Sequence, residues 1–136
     1  MAAPNFPGWQ AQILTRIGAP VTPSNLQAFH AWTQAEAGTA ANNPFNTTRV
    51  LPSGVPFPGA TPYNTIPVSS GPPLHVWQYA SPQQGINATV QTLKNGYYQG
   101  ILNALRAGSN AMAVARAVDA SGWGTQGMVN YLHPGV

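Results

Sequence analysis

The sequence predicts a mainly helical α+β domain that carries a small irregular or β-hairpin lobe. Two segments, 7–37 and 81–132, repeat apolar residues at three- and four-residue steps, the spacing of amphipathic helices. Between them, residues 38–80 hold Pro44, Pro52, Pro56, Pro58, Pro62, Pro67, Pro72 and Pro73, a density of proline that forbids a long helix. The 136 residues, 43% of them hydrophobic, suffice for one domain, 1–136, with a real core.

Pro7 and Gly8 precede Trp9, Ile13, Leu14 and Ile17, a helical spacing that Gly18-Ala19-Pro20 stops. Thr22-Pro23 reads as an N-cap followed by proline at the first helical position. Leu26, Phe29 and Trp32, with Ala28, Ala31 and Ala35, supply the apolar face of a second helix. It ends near Glu36-Ala37-Gly38, where Gly38 can take a left-handed cap. In the central lobe, Thr48–Leu51 is a strand candidate. Phe45, Phe57 and Tyr63 argue against a free linker there, and long ordered loops are often functional.

Ser81-Pro82 repeats the cap seen at Thr22-Pro23. Ile86, Val90, Leu93, Tyr97, Ile101 and Leu105 form the clearest amphipathic stripe, which Asn95-Gly96 can divide into two helices. On that stripe Tyr97 belongs to the core, while Tyr98 and Trp77 are more open. Gly108-Ser109-Asn110 is a stop and a new cap, and Ala111, Val114, Ala115 and Val118 continue as a helix. Ser121–Thr125 reads as a turn, and Met128, Val129 and Leu132 as a last short helix.

Charged residues make up 5% of the chain, against roughly 25% in ordinary domains. Polarity therefore comes from Asn, Gln, Ser and Thr, which suit a neutral, hydroxyl- and amide-rich ligand such as a glycan. The net charge of +3 rests on Arg16, Arg49, Lys94, Arg106 and Arg116, which form no run, so a nucleic-acid partner is not expected. The absence of cysteine excludes thiol nucleophiles and Cys-based metal sites. The N-terminus has neither a basic region nor an apolar run, so no signal peptide is expected. No stretch approaches ~18 consecutive apolar residues, so membrane insertion is not expected.

Only two carboxylates are available for acid–base work, Glu36 and Asp119. Asp119 lies three residues after Arg116, the spacing of an ordinary helical ion pair. Two readings fit Glu36 on spacing alone. Near Trp32 and Phe45 its carboxyl would be partly desolvated, and the resulting rise in pKa would keep the proton a general acid needs. Alternatively it is an exposed helix-end residue paired with Arg49. His30, His75 and His133 are far apart, and neither a Gly-x-Ser-x-Gly elbow nor a His-Glu-x-x-His run occurs, so no serine triad, metal or cofactor is expected. The central aromatics Tyr63, Trp77, Tyr79, Tyr97 and Tyr98 are candidates for stacking on sugars.

Trp32-Thr33-Gln34-Ala35-Glu36 is followed by Asn43-Pro44-Phe45-Asn46-Thr47-Thr48, then by Tyr63-Asn64 and Val76-Trp77-Gln78-Tyr79. Gly85–Leu93, Gly96–Ile101 and Ser121-x-Trp123-Gly124-Thr125 complete the series. In this order and spacing the motifs resemble the lysozyme-like, lytic-transglycosylase-like domains of phage endolysins and virion-associated lysins, with goose-type lysozymes as relatives. The resemblance spans about residues 10 to 130. It implies a lysozyme-like helical body, a hairpin lobe and a cleft between them. The implied activity is cleavage of the β-1,4 bond between N-acetylmuramic acid and N-acetylglucosamine in bacterial peptidoglycan. It places Glu36 as the general acid that ends a helix before the hairpin. It makes Asn46, Thr47, Thr48, Tyr63, Asn64, Trp77, Tyr79 and Tyr98 the substrate-binding residues, with Tyr79 or Tyr98 orienting Glu36. It further implies a phage-encoded, monomeric protein acting on the host wall, released by lysis or carried in the virion. One departure stands out. Residues 37–118 contain no Asp or Glu, so a two-carboxylate mechanism requires Asp119 to fold back into the cleft. A non-catalytic phage structural or wall-binding module that keeps the fold is the competing expectation.

Overall fold

The computed structural model describes residues 8–132, and it is mainly helical with a small two-stranded antiparallel sheet. Pro7 and His133 lie outside the described residues. Helix α1 (Trp9–Arg16) buries Trp9, Ile13 and Leu14, and Gly18, at φ 78°, turns the chain away. Helix α2 (Pro23–Glu36) begins as its sequence dictates: Thr22 accepts the Asn25 backbone N–H, with proline at the first position. Its buried face differs from the expected one. Leu26 is 39% exposed, and Asn25 is fully buried instead. The Asn25 carboxamide donates to the carbonyls of Pro20 (2.9 Å) and Leu105 (2.8 Å), and these bonds offset the cost of burying its N–H groups, while its oxygen has no partner among the described residues.

The chain leaves α2 through Ala37, not Gly38, in the left-handed conformation (φ 49°). Gly38 serves a different need: a Cβ there would overlap the Asn46 carboxamide. The segment that follows is irregular, and Thr48–Leu51 is not a strand. Its order comes from Asn43, fully buried, whose carboxamide donates to the carbonyls of Thr47 (3.1 Å) and Trp77 (2.7 Å) and accepts from the Thr47 N–H (3.0 Å). The strands are β1 (Ala60–Pro62) and β2 (Trp77–Tyr79), with Ala60 opposite Tyr79 and Pro62 opposite Trp77. An isolated bridge, Ile66–Leu74, extends this hairpin outward.

Helix α3 (Pro82–Leu93) starts on a Ser81 cap, and Gly85 lets the Asn42 carbonyl approach its backbone. The long stripe does divide at Asn95-Gly96, and α4 begins at Gln99 (Gln99–Ala107). The division reverses two expectations: Tyr97 is 73% exposed and Tyr98 is buried. Helix α5 (Ala111–Asp119) is capped by Asn110, and a 3₁₀ turn, Met128–Tyr131, closes the described chain. Asp119 does not pair with Arg116. Its carboxylate accepts the N–H groups of Met128 (3.0 Å) and Val129 (3.3 Å), which start that turn.

The main core joins all five helices around an aromatic cluster in which Trp32 and Phe45 stack at 4.0 Å between centroids. A smaller core under the hairpin gathers Phe57, Trp77, Tyr79 and Ala88. Among the described residues, no helix is long and apolar enough to cross a membrane.

Candidate functional site

Glu36 sits at the last helical position of α2, half-buried where the aromatic core meets the irregular loop. Its Oε1 accepts from the Asn46 side-chain N–H at 3.2 Å, and the same amide group donates to the Glu36 carbonyl at 3.1 Å. Its Oε2 accepts from the Thr125 hydroxyl. Thr125 in turn accepts the Trp32 indole N–H at 3.0 Å. Core, loop and C-terminal turn thus converge on one carboxyl group. Burial pushes the Glu36 pKa above the ordinary carboxylate value, and the hydrogen bonds from Thr125, Asn46 and Trp32 oppose that rise without cancelling it.

The backbone around this carboxyl is unusual. Ala37, Asn42 and Asn46 all have positive φ, at 49°, 59° and 53°. Asparagine tolerates this region, but for alanine it costs roughly 1–2 kcal/mol. Such outliers persist where the surroundings over-determine them, and they concentrate at working sites.

Beside Asn46 opens a cleft of about 860 Å³. Thr48, Arg49, Tyr97, Tyr98 and Trp123 contribute to its wall. Glu36 itself does not line it, and its carboxyl reaches it through one hydrogen bond, to Asn46. Arg49 is the one charged residue in the lining. It does not pair with Glu36. Its Nε donates to the Tyr98 hydroxyl at 3.1 Å, and its guanidinium carbon lies 5.2 Å from the Tyr97 ring centroid and 5.8 Å from that of Tyr98. Trp123 packs against Tyr98 at 4.9 Å, and its indole N–H is anchored on the Phe45 carbonyl.

The residues named from sequence fall into three groups. Asn46, Thr48 and Tyr98 border the cleft, with Asn46 touching Glu36. Thr47 also borders it but is 2% exposed, and its hydroxyl accepts the Arg49 backbone N–H and bonds the Thr92 hydroxyl, a structural position. Tyr63, Asn64, Trp77 and Tyr79 do not line the cleft. Tyr63 stands exposed on the hairpin with its hydroxyl on Thr39, and Asn64 accepts the Val76 N–H to hold the hairpin. Trp77 is buried and donates to the Thr48 carbonyl. Tyr79 is buried in the smaller core, its hydroxyl has no partner among the described residues, and burial raises its pKa.

Neither Tyr79 nor Tyr98 orients Glu36. Thr125 and Asn46 do. Thr125, Trp123 and Arg49 carry no site signal of their own in the sequence, and the helical stripe assigns Tyr97 to the core although it borders the cleft. The Ser121–Thr125 motif was the available signal for the first two, but nothing local says that a threonine there meets a glutamate from α2. In comparisons with known proteins, no family model, no curated protein and no solved structure matches the chain.

Proposed function

We propose that the protein is a peptidoglycan-cleaving glycosidase, a muramidase or lytic transglycosylase, in which Glu36 is the general acid. The observation that carries this reading is the Glu36 carboxyl: half-buried, raised in pKa, and held at two oxygens by Asn46 and Thr125 next to an aromatic and amide-rich cleft. A carboxyl whose pKa is raised holds its proton to higher pH than an ordinary one and can deliver it to a glycosidic oxygen as the bond to the sugar's anomeric carbon breaks. The cation-like charge left on the sugar needs relief. Asp119 is engaged with the backbone of the 3₁₀ turn, which leaves the two-carboxylate route without its second member. Relief then comes from the substrate's own acetamido or 6-hydroxyl group, or from a water held by Asn46 or Thr48. Glu36→Gln should lower the rate of turbidity loss of a peptidoglycan suspension by about 10²–10⁴-fold. Undiminished lysis by that variant overturns the assignment. Mass spectra of the digest report the bond and separate hydrolysed from 1,6-anhydro ends.

A second reading is a non-catalytic wall-binding or virion structural module. It draws on the absence of Glu36 from the cleft lining and of any acid within it. Wild-type protein that sediments with peptidoglycan while releasing no fragments decides for it.

A further inference from the structure

We infer that the cleft selects a glycan bearing a carboxylate, and that Arg49 is the counter-charge that reads it. This rests on the glycan-binding reading of the same cleft. Arg49 is the sole charged side chain in a wall otherwise made of aromatic, aliphatic, amide and hydroxyl groups. Both carboxylates of the chain are engaged elsewhere, Glu36 with Asn46 and Thr125, Asp119 with the 3₁₀ turn. The guanidinium is therefore not neutralised by any described side chain. It is nonetheless fixed in place, through Nε to the Tyr98 hydroxyl and against the rings of Tyr97 and Tyr98. The terminal N–H groups have no hydrogen-bond partner among the described residues. An ordered arginine with its fork unused is preorganised for bidentate contact with a carboxylate.

A neutral N-acetylglucosamine chain offers nothing to that fork beyond what water offers. A muramic acid unit offers a carboxylate in one of two places, on its lactyl ether when no peptide is attached, or on the stem peptide when one is.

The test is binding, measured by calorimetry on the Glu36→Gln protein so that turnover does not intrude. Three ligands of equal sugar length are compared: a neutral chitooligosaccharide, a peptide-free glycan with free lactyl carboxyls, and a muropeptide whose lactyl carboxyl is amidated. The expected result is at least about tenfold tighter binding of one or both acidic ligands, the size of one hydrogen-bonded charge contact, with the tighter of the two identifying the carboxylate's source. The preference should shrink with added salt. Adding Arg49→Gln should abolish it, so that within this variant the acidic ligands bind no more tightly than the chitooligosaccharide, with a cooperative melting curve showing that the variant is folded. Arg49→Lys, which keeps the charge without the fork, should restore part of it. Equal affinity for all three ligands, no measurable binding of any, a preference that survives Arg49→Gln, or a lysine variant no better than glutamine each overturns the inference. The outcome is independent of catalysis. Wild-type protein that releases no fragments yet keeps the preference refutes the glycosidase reading alone, and one that cleaves but favours the neutral ligand refutes this one alone.

Discussion

At Glu36 burial and hydrogen bonding pull in opposite directions, and burial prevails. That balance can be shifted one bond at a time. Thr125→Val keeps the shape and removes the donor to Oε2, so the carboxylate loses stabilisation and the pKa rises further. A general acid works in its protonated form, so activity is full below the Glu36 pKa and falls above it. The alkaline limb of the rate profile should therefore move to higher pH in Thr125→Val, while loss of orientation lowers the maximal rate by up to about 10²-fold. A limb that stays in place argues against Glu36 as the acid. The same shift makes a stability prediction. With a folded-state pKa above the unfolded one, Glu36 favours folding at low pH, and that contribution is lost as pH rises through the raised value. The melting temperature of Glu36→Gln relative to wild type should thus climb as pH increases across that interval and then level off. A difference that is flat with pH contradicts the shift. Glu36 was legible in the sequence because acids are so scarce that a helix-end glutamate stands out. Its two holders were less so. Asn46 was named for the substrate, not for the carboxyl, and the Thr125 contact depends wholly on tertiary packing.

Helix starts were the most legible elements, because a cap is a local bargain between one side chain and the next turn. Thr22, Ser81 and Asn110 all cap as their sequences dictate. Thr22 does more, since its hydroxyl also donates to the Gly108 carbonyl at 2.6 Å. Thr22→Ala should cost about 1–2 kcal/mol in chemical denaturation, with Thr22→Ser retaining most of the stability. Helix α2 ends where the sequence places it, but its left-handed cap falls one residue before the glycine. Ala37 takes the left-handed position while Gly38 makes room for Asn46. Ala37→Gly relieves the backbone but frees the unfolded chain, so a net gain of about 0.5–1 kcal/mol is expected. A destabilised variant would mean that alanine sits there without strain. The faces of helices were less legible than their ends. Counting the stripe through Asn95-Gly96 carried the helical phase across a break where Gly96 has φ 97°, which exchanged the places of Tyr97 and Tyr98. Leu26 and Asn25 were exchanged for a different reason: two distant carbonyls, of Pro20 and Leu105, needed a donor, and no local pattern records that.

Over the whole molecule, cohesion comes from apolar packing and from hydrogen bonds, not from ion pairs. The chain has seven Asp, Glu, Lys and Arg side chains in all, and no ion pair forms among the described residues. Stability should accordingly be nearly indifferent to moderate salt, with a melting temperature that moves by less than about 2 °C when sodium chloride is raised to roughly 0.3 M. A larger shift would expose a charge interaction that the fold does not contain. The mainly helical class with a small hairpin was readable at this scale, since proline density and helical periodicity divide the chain cleanly. The cleft was not, because its wall draws on loop, helix and C-terminal turn at once. Glu36 and Thr125 stand 89 positions apart, and the indole of Trp32 links them through the core. The acid is consequently a proofreader of assembly: a nick that releases the tail ahead of Thr125 would rehydrate the glutamate and disarm it, even while much of the helical framework stayed upright.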